Sequence, residues 1–91
     1  MPLKPARTAK FKKDYALVGK RGWDVERLNG VMLKLINQET LRREHRAHTL
    51  KGEYKNHREC HISGNFLLIW YETDTEIVFV RTGNHADLFG K

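Results

Sequence analysis

Three histidines and one arginine are the side chains in this sequence best suited to chemistry on a phosphodiester. His48, His61 and His85 belong to segments that, as argued below, converge on one face of a predicted sheet. Imidazole has an unperturbed pKa of about 6.5, so at neutral pH one such group accepts a proton while another donates one. Metal-independent RNA cleavage needs both transfers, because a base removes the 2′-OH proton and an acid protonates the leaving 5′-oxygen. Arg81 adds a bidentate cation for the phosphate.

Zinc binding is the other chemistry that three histidines could support. No pair of them has the i, i+4 helical spacing of a metalloenzyme motif, and no clear carboxylate joins them. Cys60 is the single cysteine, which excludes an internal disulfide and a cysteine-based zinc motif. We therefore expect no metal and no cofactor. Each histidine taken alone also fits a surface or capping role.

The composition limits the classes of protein that this chain can represent. Its 91 residues predict one domain, residues 1–91, and exclude a multidomain enzyme. The mean hydropathy of −0.66 and the absence of a long apolar run exclude a membrane protein, and a lysine-rich start without an apolar segment predicts a cytoplasmic location. Lys and Arg outnumber Asp and Glu by 17 to 11, giving a net charge of +6, so a polyanion such as nucleic acid is the expected partner.

The basic residues form two blocks along the chain. The first block, residues 1–22, has one acidic residue, Asp14. It is equally compatible with contacts to a polyanion and with solvated helix faces. The second block, residues 42–58, is interleaved with histidines and has little apolar periodicity. A basic segment without an apolar face is more suited to contacting phosphates than to packing.

The N-terminal half predicts a short strand and two helices. Residues 3–7 could form a short strand, which would have to lie at an edge or stay irregular, because Pro2 and Pro5 cannot donate to a ladder. Thr8 is a plausible N-cap of a first helix that ends near Gly19 or Gly22, and Asp24 is a plausible N-cap of a second helix, residues 25–36. Apolar residues recur along one side of each helix, so the pair should form an αα-hairpin facing a common core.

The C-terminal half predicts three antiparallel strands, residues 54–62, 65–72 and 76–82. Ser63-Gly64 and Thr73-Asp74 are the candidate turns. With two-residue loops at both turns, His61, Phe66 and Arg81 form one row across the strands. A four-residue second loop keeps Arg81 on the same face, whereas a three-residue loop moves it to the other face.

This register predicts two unlike faces for the sheet. The apolar face should bury against the helices and contains Cys60, Ile62, Leu67, Ile69, Tyr71, Val78 and Val80. The open face mixes imidazoles, a cation and rings, and contains His57, Glu59, His61, Phe66, Leu68, Trp70, Ile77, Phe79 and Arg81. Such a surface is suited to single-stranded RNA or DNA.

Three motifs resemble a known protein family. HTLKG begins at His48, HRECHI at His57 and VRTGNHADLFG at Val80, and together they are similar to the YafQ-type branch of the RelE/ParE toxin superfamily. The resemblance is strongest between His48 and Gly90. It implies an α+β, RelE-like fold in the order β-α-α-β-β-β, with a small twisted antiparallel sheet packed on an N-terminal α-hairpin.

The resemblance also implies a site. His48, His61, Arg81, His85 and Phe89 stand at the family's active-site positions. The family has Asp and Trp where this sequence has Asn65 and Phe66; an amide cannot act as a base, whereas Phe66 can still stack on a nucleobase. Our mechanistic hypothesis is that His48 and His61 deprotonate the 2′-OH or stabilise its anion, that His85 protonates the leaving oxygen, and that Arg81 binds the scissile phosphate. The implied substrate-binding residues are Asn65, Phe66, Phe89 and Lys51.

The activity implied by the resemblance is ribosome-dependent mRNA cleavage by the toxin of a type II toxin–antitoxin pair. The implied partners are mRNA on the ribosome, ribosomal RNA and a cognate acidic antitoxin. The toxin is expected to be a monomer alone and part of a hetero-oligomer with the antitoxin. Two alternatives remain at this stage: a ParE-like toxin that inhibits gyrase without catalysis, and a non-catalytic RNA- or DNA-binding module.

Overall fold

In residues 2–90, the part of the chain that the structure describes, an N-terminal helix pair packs on a five-stranded sheet. The structure is a computed structural model. The helices are α1 (Ala9–Lys20), α2 (Val25–Ile36) and α3 (His85–Phe89), and the strands are β1 (Lys4–Arg7), β2 (His48–Thr49), β3 (Arg58–Ser63), β4 (Phe66–Glu72) and β5 (Glu76–Gly83). Short 3₁₀ turns occupy Arg43–His45 and Gly52–Tyr54. The predicted α+β class with a helix pair on a sheet is confirmed.

Both predicted helix starts are confirmed by their capping hydrogen bonds. The Thr8 hydroxyl oxygen accepts a hydrogen bond from the Phe11 amide at 3.0 Å, and the Asp24 carboxylate accepts one from the Arg27 amide at 3.0 Å. Each contact satisfies a backbone donor that the first helical turn leaves unpaired. Among residues 2–90, no helix has both the length and the apolar character needed to cross a bilayer.

The sheet is mixed, with the strand order β1-β5-β4-β3-β2. The prediction of an edge strand at residues 3–7 is confirmed. The prediction of a wholly antiparallel sheet is wrong, because β1 pairs with β5 in parallel. The two helices between β1 and the later strands return the chain to the starting end of the sheet, and this crossover makes parallel pairing possible.

The register predicted from two-residue loops is wrong in both hairpins, although the four-residue alternative for the second loop is confirmed. Ser63 pairs with Phe66, so the first loop is Gly64 and Asn65, and a bulge at Ile62 places His61 opposite Leu67. Glu72 pairs with Ile77, which makes the second loop four residues long. A second irregularity, after Phe79, places Arg81 opposite Ile69. Each bulge adds one residue to a strand, and no local sequence pattern predicts it.

These shifts exchange the faces predicted for β4 and β5. The strand residues that pack against the helices are Cys60, Ile62, Phe66, Leu68, Trp70, Ile77 and Phe79. Leu67 and Ile69 lie on the opposite face, in a smaller cluster with Leu88, Leu50, Tyr54 and Val80. The assignment of Cys60 and Ile62 to the helix side is confirmed, and the row of His61, Phe66 and Arg81 is wrong. A one-residue slip moves every side chain of a strand to the other face.

Candidate active site

His61 and His85 lie together at one end of the sheet, on the face opposite the helices. His61 comes from β3 and His85 is the first residue of α3, and their ring centroids are 6.3 Å apart. His61 is half-buried and His85 is exposed, so solvent and a ligand can reach both rings. A strand residue and a helix residue separated by 24 positions in the chain therefore form one imidazole pair.

Hydrogen bonds determine which nitrogen of each ring carries the proton. His61 Nδ1 lies 2.9 Å from the carbonyl oxygen of Gly64, and His48 Nδ1 lies 2.8 Å from that of Arg46. His85 Nδ1 contacts the side-chain oxygen of Asn65. An oxygen of this kind can only accept, so Nδ1 donates in all three rings. In the neutral rings, Nε2 is then the nitrogen that can accept a proton.

Glu59 is a functional candidate that sequence reasoning did not include among the site residues. It is 3% exposed and pairs across the ladder with His48, whose Nε2 lies 3.3 Å from Glu59 Oε1. This contact requires a shared proton. Glu59 Oε2 has no hydrogen-bond partner among the described residues. The sequence had placed Glu59 on the face of His61 but had not identified it as a partner of a histidine. The position of Glu59 two residues before His61 on the same strand was the available signal.

His48 and His61 lie on the same face through this ladder. Glu59 and His61 are two residues apart on β3, and His48 pairs with Glu59. A diagonal neighbour on an antiparallel ladder is about 7–8 Å away, which brings His48 within reach of a ligand bound at His61. Within residues 2–90, no group of three or more His, Cys, Asp or Glu side chains has the arrangement of a metal site.

The N-terminal turn of α3 holds His85 in place. Asn84 and Asp87 form a capping box, in which the Asp87 amide donates to Asn84 at 2.8 Å and the Asn84 amide donates to Asp87 at 2.9 Å. The Asn65 side-chain oxygen accepts hydrogen bonds from both the backbone amide and the ring of His85. An amide at position 65 thus orients the imidazole even though it cannot titrate.

Arg81 is already paired with a carboxylate in this structure. Its Nε and Nη2 atoms donate to Asp14 of α1 at 2.6 and 3.2 Å, and Nη2 also donates to the backbone oxygen of Asp87 at 3.3 Å. The hydrogen bond and charge of Asp14 raise the pKa of Arg81, with a smaller contribution from Tyr54. The Arg81 side chain is 16% exposed. It therefore connects α1, β5 and α3, and Asp14 is a second residue that sequence reasoning missed.

The remaining predicted residues are distributed around the histidine pair. Phe89 of α3 is 38% exposed, and its ring lies 5.9 Å from that of His85 and 5.9 Å from that of Tyr54. Lys51 is exposed in the loop after β2. Phe66 is only 5% exposed and packs on the helix side against Trp23, so its predicted place on the open face is wrong.

Gly83→Ala should destabilise the protein by displacing α3. Gly83 has φ of +149°, and a Cβ there would lie 2.8 Å from Asp87 Oδ2. Backbone strain of this kind costs about 1–3 kcal/mol. We expect a loss of this size in the free energy of unfolding, measured by urea denaturation. Gly30→Ala is the matched control, since a Cβ at this site in α2 meets nothing within 4 Å and should raise stability by about 0.5–1 kcal/mol. Equal effects of the two substitutions would contradict this interpretation.

Asp87 should make the stability of the protein depend on pH in acid. The Arg21 guanidinium donates to it at 2.6 and 3.1 Å and holds the pKa of Asp87 below its usual range. A carboxyl whose pKa is lower in the folded state contributes stability above its unfolded pKa and loses that contribution as the pH falls through the folded pKa.

The measurement compares wild type with Asp87→Asn in urea unfolding at several values between about pH 7 and pH 2. The difference in the free energy of unfolding should be largest near neutrality and shrink at the acid end. Asp74→Asn, in the exposed loop before β5, is the control and should change little. A difference that stays constant across the range would exclude the ionised form of Asp87 as its cause.

The comparisons with known proteins agree with the fold. The family described as "Bacterial toxin of type II toxin-antitoxin system, YafQ" matches residues 3–90. The mRNA interferase toxin YafQ of Escherichia coli K12 is 37% identical over 84 residues, which are 91% of each chain. The crystal structure of YafQ from E. coli BL21(DE3) has a TM-score of 0.92 and 34% identity, covering 97% of this chain and 99% of that one. The E. coli DinJ–YafQ toxin–antitoxin complex has a TM-score of 0.90 and 34% identity, covering 99% and 100%. The resemblance of the three motifs is thus confirmed, and the chain belongs to the YafQ family of bacterial type II toxin–antitoxin toxins.

Proposed function

We propose that this protein is an endoribonuclease that cleaves mRNA on the ribosome in the cytoplasm, as the toxin of a type II toxin–antitoxin pair. Its family supports the toxin role, and its E. coli relatives carry the name mRNA interferase. The observation that carries the chemical part of the proposal is the imidazole pair, His61 and His85, with ring centroids 6.3 Å apart. A phosphodiester needs a proton acceptor on one side and a donor on the other, and this pair supplies both.

The reaction proceeds by attack of the 2′-oxygen. His61 Nε2 accepts the proton of the 2′-OH, the oxygen forms a bond to phosphorus, and the bond from phosphorus to the 5′-oxygen breaks. His85, as the imidazolium, gives its Nε2 proton to that oxygen. The products are a 2′,3′-cyclic phosphate and a free 5′-OH. His48, paired with the buried Glu59, lies beside His61 and stabilises the negative charge that develops on the attacking 2′-oxygen.

The other site residues bind and orient the substrate. Arg81 stabilises the charge on the phosphate at the transition state, and Asn65 keeps the His85 ring aligned through its two hydrogen bonds. The exposed ring of Phe89 stacks against a base, and Phe66 forms the wall beneath a second base position. Lys51 and the other exposed cations of residues 42–58 contact phosphates of mRNA and ribosomal RNA, which makes association steeply dependent on salt.

The antitoxin partner follows from the class of the family. E. coli YafQ is known in a complex with DinJ, which that structure names as a toxin–antitoxin complex. A net charge of +6 on this chain favours an acidic partner. The antitoxin covers the basic surface around the histidine pair, so the toxin is a monomer when free and part of a hetero-oligomer when inhibited.

The test is cleavage of a defined mRNA bound to purified ribosomes, with the cut sites mapped by primer extension. We expect cuts at defined codons, unchanged by a metal chelator, and none when a single 2′-deoxy sugar replaces the ribose 5′ to the cut. Naked mRNA should be cut far more slowly. Binding of the RNA without turnover would favour a non-catalytic module. Inhibition of gyrase supercoiling without RNA cleavage would favour the ParE-like alternative.

A further inference from the structure

A cavity of about 330 Å³ opens beside the histidine pair, on the other side of Asn65. It lies between the start of α2, the loop joining β3 to β4 and the residue before α3. Its lining residues are Trp23, Asp24, Ser63, Asn65, Phe66 and Asn84. Ligand pockets usually measure about 300–1,000 Å³, so the size suits one small planar group. We call it the Trp23 cavity.

Two aromatic rings form the apolar wall of the Trp23 cavity. The Trp23 and Phe66 ring centroids are 5.1 Å apart in an edge-to-face arrangement. The Arg21 guanidinium carbon lies 4.9 Å from the Trp23 centroid and is itself held by Asp87. The indole is thus positioned before any ligand arrives, which lowers the entropic cost of binding.

The opposite wall carries groups that can bind the polar edge of a base. Asn84 and Asn65 use their side-chain oxygens in the α3 capping box and on His85, so their amide NH₂ groups are the hydrogen-bond donors that these two cavity-lining residues can offer a ligand. Ser63 adds a hydroxyl. Aromatic rings combined with amide and hydroxyl groups are the usual means by which proteins bind an unstacked RNA base.

Asn65 relates this cavity to the reaction, because it lines the cavity and also hydrogen-bonds to His85. We propose that the Trp23 cavity binds the nucleobase of the nucleotide immediately 3′ to the cleaved bond. This inference rests on the proposed function, in which His85 protonates the 5′-oxygen of that same nucleotide. Occupation of the cavity then places the leaving oxygen at the acid.

Cleavage kinetics with an abasic substrate test the inference. Loss of a base–aromatic contact costs about 5- to 150-fold, so wild type should cleave ribosome-bound mRNA more slowly by this factor when the 3′ nucleotide lacks its base. Trp23→Ala should slow cleavage of the intact substrate similarly and lose nothing further on the abasic one. Trp23→Phe should keep most of the rate. If Trp23→Ala cleaves the abasic substrate more slowly than the intact one, by the same factor as wild type, the two losses are independent and the proposal is overturned.

Two controls separate this outcome from others. Tyr15→Ala removes another partly buried aromatic, one that packs against Phe11 away from the cavity, and should not change the ratio of rates on the two substrates. Thermal unfolding confirms that each variant is folded.

A binding measurement tests the cavity without turnover. The chain has two tryptophans, and Trp70 is fully buried, so quenching by a ligand reports on Trp23. A short oligoribonucleotide with one 2′-deoxy sugar at the cut site should quench the fluorescence, and its abasic counterpart should not. Equal quenching by both, at concentrations that saturate binding, would overturn the inference. If the oligoribonucleotide quenches the fluorescence only when its base is present, yet the protein never cleaves mRNA, the proposed function is wrong and the assignment of the Trp23 cavity as a base-binding site is retained.

Discussion

His85→Ala should slow mRNA cleavage by about 10²–10⁴-fold, the usual contribution of one positioned acid or base. The His85 ring is exposed and is oriented through Asn65, so its removal takes away the proton donor without opening a hole in the core. The measurement is a single-turnover cleavage rate on programmed ribosomes, together with a urea unfolding curve that should match wild type.

His57→Ala is the matched control for this substitution. His57 also directs Nδ1 to a backbone oxygen, that of Lys55, but its ring packs between Tyr54 and Tyr71, apart from the imidazole pair. We expect its effect on the cleavage rate to be small. Full cleavage by His85→Ala, with its fold intact, would remove His85 from the reaction.

Arg81→Ala should reduce both stability and cleavage. It leaves Asp14, whose side chain is 12% exposed, without its cation. Breaking a buried pair by removing one partner costs about 3–5 kcal/mol, and the partial exposure of this pair suggests the lower end, about 3 kcal/mol. A small domain is typically stable by about 5–15 kcal/mol, so the variant should remain folded at moderate temperature.

A double substitution separates the two roles of Arg81. Asp14→Asn with Arg81→Gln removes both charges and keeps an amide pair, so most of the unfolding free energy should return. Cleavage should stay suppressed, because no cation meets the phosphate. If cleavage recovers together with stability, Arg81 acts only by holding the fold, and the phosphate contact is assigned to the wrong residue.

The parts of the fold predicted correctly from sequence are those determined by neighbouring residues. Thr8 and Asp24 each cap a helix through an amide three residues away, and such a signal lies within a short window. The last three strands were predicted in the correct order, because their apolar and β-branched composition is also local. The first of them begins at Arg58 rather than at Tyr54, and β2 was not predicted. The register of the strands was not predicted correctly. The bulges at Ile62 and after Phe79 are determined by the pairing with neighbouring strands and not by the adjacent residues alone.

The candidate site follows the same division. The convergence of His61 and His85 was predicted, with support from motif resemblance, and the two rings lie 6.3 Å apart. The partners of the charged groups were not predicted. Asp14 is 67 residues from Arg81 in the chain, and no local pattern links two residues so far apart. Glu59 was placed on the correct face but was not recognised as the partner of His48, because β2 is only two residues long.

The position of β5 has a consequence for the synthesis of this protein. It is the last strand in the chain, yet it lies between β1 and β4 in the sheet. Until residues 76–83 have left the ribosome, the first strand lacks its pairing partner, and the segment that contains His85 has no neighbouring strand to pack on. Pairings this distant in sequence form late in folding. We therefore expect the histidine pair to form only after the last strand has been synthesised.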